Sequence, residues 1–460
     1  MYENSIEKYS STYDDYLTDE SKFSGSFESI SFPKDIDEMK YILMEMKKNK
    51  VPVTIQGSMT GICGGSVPVK GHAMNMSRFS GISGVEKVDG THRVRVKCGT
   101  VLDELKSELS RNDLFWPPEP TETLATVGGV LATSAKGISH YHYGDVSNYV
   151  SELTVLDISG NVSVLTESDS SFSDYFGSEG MFGLVVECEL KLIKIPKETW
   201  GIVFFFNYEK PLLKWLDNVR MMDLKGKESY VVAVEYIDDI SLEHIYEMKE
   251  TSSSLKAIPE VPEGTKGMVY VEIHGNDEDS VLEMAEELME TAEEYGSDPS
   301  TAWAVNGQKE VEKIRVMRHA APESINNSIR TVREKKTTGK LATDIMWKDR
   351  GVSETVEYYR KSAYERGLEI SIFGHVMDNH LHVNILYKDY AEYETGKQML
   401  LRWSEDAFSD NADVFNEHGI GKIKKDIYIN LISKNKKDLL KQRKNLYDPD
   451  GLWNPGNVFD

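Results

Sequence analysis

Gly57, Gly61, Gly64 and Gly65 crowd into nine positions directly behind the short apolar run VPVTI. A strand that meets so many glycines cannot simply continue, because each one gives up side-chain packing and costs conformational entropy. Such a cluster marks a sharp bend or a place where backbone approaches something closely. Consecutive N–H groups in a glycine-rich turn form a concave anion site, so a phosphate is the natural guest. The stretch matches neither GxGxxG opening a helix nor GxxxxGK[ST]. Taken alone, it is equally compatible with a glycine-rich surface turn.

The chain is long enough, at 460 residues with 40% hydrophobic and 28% charged, for a sizeable core in two or three lobes. It has no apolar run of the roughly 18 residues a membrane helix needs. Its first stretch, MYENSIEKYSSTYDDYLTDESK, is polar and acidic, unlike a signal peptide. A cytoplasmic protein, at most peripheral to a membrane, is expected. The net charge of −23 argues against a nucleic-acid partner but not against a small anion in a locally basic pocket. Cys63, Cys98 and Cys188 show no CxxC or iron–sulfur spacing, so no disulfide or cluster is expected, and Cys98 and Cys188 read as small buried apolar residues.

Apolar residues at helical spacing with a basic end predict a helix in IDEMKYILMEMKKN. VPVTI, HRVRVKCG, ELTVLDISG, VSVLT and LVVECELKLIKI read as strands and VLDELKSELSRN as a helix, giving an α+β domain over residues 1–197. From Trp200 the rhythm changes. WGIVFFFN, YVVAVEYID and MVYVEIHG (strands) alternate with the helices KPLLKWLDNVRMM and DEDSVLEMAEELMETAEEYG, a split pattern that predicts an antiparallel, ferredoxin-like second domain over residues 198–410. LEISIFGHV and HLHVNILY add two strands joined by a tight connection. Residues 411–460 form a C-terminal segment.

The glycine loop has companions. QGSMTGICGGSVP, PPEP, ATVGG, YGD and GSEGMFGLV together resemble the motif series of the vanillyl-alcohol oxidase (PCMH) type FAD-binding fold, in the branch of D-lactate dehydrogenases and the glycolate oxidase flavin subunit. The resemblance covers almost the whole chain. It implies FAD contacts from Gln56, Gly57, Ser58, Met59, Thr60, Gly61, Gly64 and Gly65 in the first loop and from Pro118 of PPEP. It implies further contacts from Thr126, Gly128, Gly129 and Ser134 around ATVGG, from Gly144, and from Glu179, Gly180 and Val185. The closing segment LYDPDGLWNPGNVF would return to the flavin with Asn454. Gln56, Ser58, Met59, Ser134 and Lys136 replace residues usual in the family, and the backbone donors survive those changes. The loop holds no histidine, so the FAD is expected to be non-covalent.

FGHVMDNHLHVNI supplies His375, His380 and His382, and FNEHGIGKIKKD supplies Glu417 and His418. If the first stretch is a tight strand pair, His375 and His382 meet across it on one face. Two imidazoles and a carboxylate suit Zn²⁺, Mn²⁺ or Fe²⁺ with positions left open. His380 by itself reads as a surface or satisfied core histidine. The two stretches resemble the family's paired C-terminal motifs, which implies His375, His382 and Glu417 as metal ligands, His418 as catalytic base and Asn384 as a substrate contact. In EKIRVMRHAAPESIN, Arg318 matches the arginine that grips the substrate carboxylate through a planar fork.

These parts predict oxidation of a D-2-hydroxy acid, D-lactate first, by hydride transfer to flavin N5 with a metal and a histidine base. Electrons would pass to a protein acceptor, such as an electron-transfer flavoprotein or an iron–sulfur subunit. Two alternatives are a non-catalytic flavoprotein subunit and an alkyl-transfer enzyme of the same fold.

Overall fold

The computed structural model describes residues 2, 4–226, 228–253, 255–256, 258–336 and 340–459. The chain divides into two compact units: Met1–Gly137, Gly144–Ile195 and Glu417–Asp460 form one, Ile138–Tyr143 and Pro196–Asn416 the other. Among the described residues no helix is long and apolar enough to cross a membrane.

The first unit carries two sheets. In the smaller, Val53–Gln56 and Ser29–Ser31 both lie parallel to His72–Asn75, and Glu7–Lys8 closes the edge. Its helix Ile36–Lys48 starts at Asp35, whose carboxylate accepts from Glu38 N–H, and buries Met39, Ile42, Leu43 and Met46. VPVTI thus forms the strand its apolar character predicted, and the chain leaves that strand at Gln56, where the glycine loop begins. In the larger sheet Leu184–Lys194 lies between Thr91–Lys97 and Val150–Leu156. Its alternation is literal: Leu184, Val186, Cys188, Leu190 and Leu192 are buried while their neighbours are not. Cys98 and Cys188 are buried, as their surroundings in sequence suggested.

The second unit is built on an eight-stranded sheet in the order Trp303–Asn306, Glu198–Phe206, Gly267–Gly275, Ser229–Asp238, Glu369–His375, His380–Leu386, Ile345–Met346, Asp413–Val414. Every ladder within it is antiparallel. Gly267–Gly275 is buried along its whole length, so the sheet is covered on both faces. A 29-residue helix, Gln308–Lys336, supplies the basic side chains that meet one of those faces. Pro322 lies inside it and withholds the N–H that the Arg318 carbonyl would otherwise accept.

Candidate active site

Residues directly opposite each other in an antiparallel pair share a face. Glu235 pairs with His375, and His375 with His380, so these three side chains form a row across three strands. Phe373 pairs with His382, which lies two residues from His380 and therefore on the same face. The strand connection spans only residues 376–379, which places His380 opposite His375 rather than in the turn. His375, His380 and His382 are almost fully buried. Glu417 follows directly on Asn416, whose N–H donates to Asp344 at 3.1 Å, and one donor atom from each of His375, His380, His382 and Glu417 lies within 4.8 Å of the others.

Gly374 makes the row possible. Its φ is +139°, and a Cβ there would meet the His380 carbonyl at 2.7 Å and the His382 ring at 3.1 Å. Any side chain at 374 would displace a histidine.

The row is tied down from outside. His375 Nδ1 bonds Glu235 Oε1 at 2.6 Å, which leaves Nε2 as the ring nitrogen for a metal, the usual carboxylate–histidine arrangement of metal sites. Glu235 also accepts from Arg318 Nε, and the Arg318 guanidinium lies 5.0 Å from the centre of the Phe373 ring. Burial would raise the Glu235 carboxyl, but His375 and Arg318 outweigh it and hold it below the ordinary range. His380 Nε2 faces Asp344 Oδ1 at 3.1 Å. Asn384 is buried on the next position of the same face, and its Oδ1 has no hydrogen-bond partner among the described residues.

A parallel pair lies beside it. Glu272 accepts from Arg315 Nε at 2.8 Å and meets His274 Nε2 at 2.7 Å, and Tyr143 bonds His274 Nδ1 at 3.0 Å. Burial again works against the charge, and Arg315 with His274 overcomes it, holding Glu272 far below the usual carboxylate range. Arg315 and Arg318 are three residues apart on one helix, matching two carboxylates on one sheet face. Sequence reading missed both glutamates, although a lone Glu inside YVVAVEYID or MVYVEIHG was a signal: a carboxylate in so apolar a strand needs a cation. Removing one partner of such a pair strands the other charge, so Glu235→Ala should lower unfolding free energy by about 3–5 kcal/mol in denaturant titrations. A loss under about 1 kcal/mol would mean that Arg318 finds water instead.

The first unit gathers the other motifs. Gly57 packs against Thr126 so closely that a Cβ would sit 2.4 Å from its hydroxyl, joining the first loop to the ATVGG turn. Thr126 caps the Val127–Thr133 helix by accepting from Gly129 N–H, and Ser134 ends it in the left-handed region with φ +50°. Gln56 donates to Tyr16 O at 2.9 Å and Ser66 O at 3.1 Å, bridging the loop's two ends. From Gly57 to Ile62 no backbone N–H has an acceptor among the described residues. Donors left open in a partly exposed turn fit an anionic guest. Pro118 is buried, Met59 and Gly144 have positive φ, and Val185 lies in the central strand.

Glu179 serves as a clamp. Its carboxylate accepts from Ile420 N–H at 2.6 Å and Gly421 N–H at 2.7 Å, and its carbonyl accepts from Asn454 Nδ2 at 2.7 Å. Burial raises its pKa while those N–H groups pull it back. Asn454 Oδ1 in turn accepts from Ile55 N–H at 2.8 Å. The segment carrying His418 is thus fixed to the SEG turn two residues beyond the imidazole, and Cys63 O accepts from Lys422 and Ile423 N–H.

A family described as FAD linked oxidases, C-terminal domain, matches residues 218–458, and an FAD binding domain matches residues 28–166. The chain is 25% identical over 445 residues to a D-lactate dehydrogenase of Anaerostipes hadrus, spanning 92% of this chain and 87% of that one. It is 24% identical over 450 residues to glycolate oxidase subunit GlcD of Bacillus subtilis (strain 168), spanning 94% and 89%. It is also 24% identical over 449 residues to a D-2-hydroxyglutarate dehydrogenase of Xanthomonas citri pv. viticola, again spanning 94% and 89%. Among solved structures, p-cresol methylhydroxylase with substrate bound superposes with a TM-score of 0.74 at 11% identity over 99% of this chain and 94% of that one. Alkyldihydroxyacetonephosphate synthase does so with 0.72 at 13% over 98% and 83%. Those two likenesses bear on the fold alone, and the fold is the one that the motif series implied.

Proposed function

The chain belongs to the FAD linked oxidases, and on that premise we propose that it oxidises a D-2-hydroxy acid, D-lactate first, to the 2-oxo acid. The observation that carries this reading is the set of three imidazoles and one carboxylate within 4.8 Å. The relatives named for D-lactate, glycolate and D-2-hydroxyglutarate support the substrate class.

Bound FAD would supply the acceptor for the hydride that leaves Cα, held at its pyrophosphate by the Gly57–Gly65 loop and the ATVGG turn. A divalent cation on His375, His382 and Glu417, with His380 as a further donor, would supply Lewis acidity toward the substrate oxygens. Arg318 holds the substrate carboxylate. Its Nε is committed to Glu235, which leaves the two terminal nitrogens as the fork that would take the carboxylate. Asn384 offers the buried amide oxygen noted above. His418 takes the hydroxyl proton, since histidine changes protonation close to neutral pH. The O–H proton goes to the imidazole and the Cα–H pair leaves as hydride, so that C–O becomes C=O. A protein acceptor would then take up the two electrons, and a cytoplasmic location is part of the same proposal.

The test is anaerobic mixing of the metal-replete protein with a panel of D- and L-2-hydroxy acids. Bleaching of the flavin band at about 450 nm by the D series is expected. A flavin that no member bleaches would refute the proposal.

A further inference from the structure

Lys422 is a charged side chain of the first unit that the chemistry above leaves unused. Its ammonium donates to Gly64 O at 3.3 Å, Gly65 O at 3.3 Å and Asn457 Oδ1. Its three N–H bonds are therefore all engaged. Asn457 Nδ2 adds a second bond to Gly65 O at 3.0 Å. In a trans peptide the carbonyl of one residue and the N–H of the next point in opposite directions. Holding the Gly64 and Gly65 carbonyls therefore turns the N–H groups of Gly65 and Ser66 away from the lysine. Neither N–H has an acceptor among the described residues, and both residues are partly exposed.

We propose that Lys422 is the positioning residue of the glycine loop: by holding two carbonyls it presents the N–H groups of Gly65 and Ser66 to the FAD pyrophosphate. This rests on the FAD reading of the loop. Charge supports the same role. The buried carboxylates of Asp19, which precedes the first α-helix, and Glu179, from the SEG turn, both act on this ammonium, and Lys425 opposes them. Two carboxylates without the lysine would repel a pyrophosphate. Burial lowers the Lys422 pKa to about 8, against the pull of Glu179 and Asp19. Deprotonation removes the charge and one of three N–H donors, so the loop should loosen its hold on the anion as pH rises through that value.

The test is titration of apoprotein with FAD and with riboflavin, which lacks phosphate, followed by flavin fluorescence. Lys422→Met should weaken FAD binding about 10- to 100-fold, the range for charged hydrogen bonds, and leave riboflavin binding within about two-fold. Lys422→Arg should stay within about three-fold of the parent. The parent's FAD affinity should fall between about pH 7 and about pH 9 while that of Lys422→Arg stays flat. That pH comparison decides the matter if Lys422→Met does not fold. Equal FAD affinity in parent and Lys422→Met, parallel loss of FAD and riboflavin, or the same pH slope in parent and Lys422→Arg would each overturn the lysine's role alone. A parent apoprotein that binds riboflavin but gains nothing from the added pyrophosphate would overturn the loop reading as well.

Discussion

His418→Ala should keep its FAD and its metal and yet be reduced by a D-2-hydroxy acid about 10²- to 10⁴-fold more slowly, the usual loss for a general base. The physical basis is local. The His418–Gly421 segment is fixed through backbone N–H groups of Ile420 and Gly421 on the Glu179 carboxylate, so removing an imidazole leaves those bonds in place. Stopped-flow reduction, with flavin and metal content measured on the same sample, separates the outcomes. The acidic limb of the parent's pH profile, where an imidazole base becomes protonated, should vanish in the variant. Reduction at the parental rate would assign the proton to another group.

Removing the cation should cost a similar amount. A Lewis acid worth about 4 kcal/mol corresponds to roughly 10³-fold in rate, so chelated protein should be reduced about that much more slowly and recover on adding a divalent ion. His382→Ala should show the same loss without recovery. The donor set also bears on which ion works. Four protein donors fill a tetrahedral Zn²⁺, whereas six-coordinate Mn²⁺ or Fe²⁺ keeps two positions for the substrate's hydroxyl and carboxylate. With His380 in the cluster, Mn²⁺ or Fe²⁺ should restore more activity than Zn²⁺, and His380→Asn should narrow that difference. Full activity in metal-free protein would rule out the cation's role.

Much of this was visible in the sequence. The apolar run before the glycines, the helix capped by Asp35 and the alternating Leu184–Lys194 strand were legible because each depends on its own residues and their spacing. The motif series and the His375/His382 pair were equally local. Other features were hidden because they arise between distant residues. His380 joined the cluster through strand register, which a four-residue connection decides. Glu235 and Glu272 found Arg318 and Arg315 only once a helix some 40 to 80 residues later in the chain met their sheet face. Lys422 looked like one more basic residue in HGIGKIKKD until the fold brought it to Gly64 and Gly65.

The sequence by itself determined those strands and helices whose spacing is regular, the order of the two sheet systems and the residue types able to hold a pyrophosphate and a divalent cation. These follow from periodicity and side-chain chemistry along the chain, whereas helices such as Gln308–Lys336 and Tyr390–Ser409 were not read from it. Only the tertiary structure decided which buried charges neutralise one another and which carbonyls are tied back. An ion pair or a hydrogen bond is a matter of a few ångströms, and separation along the chain does not set that distance.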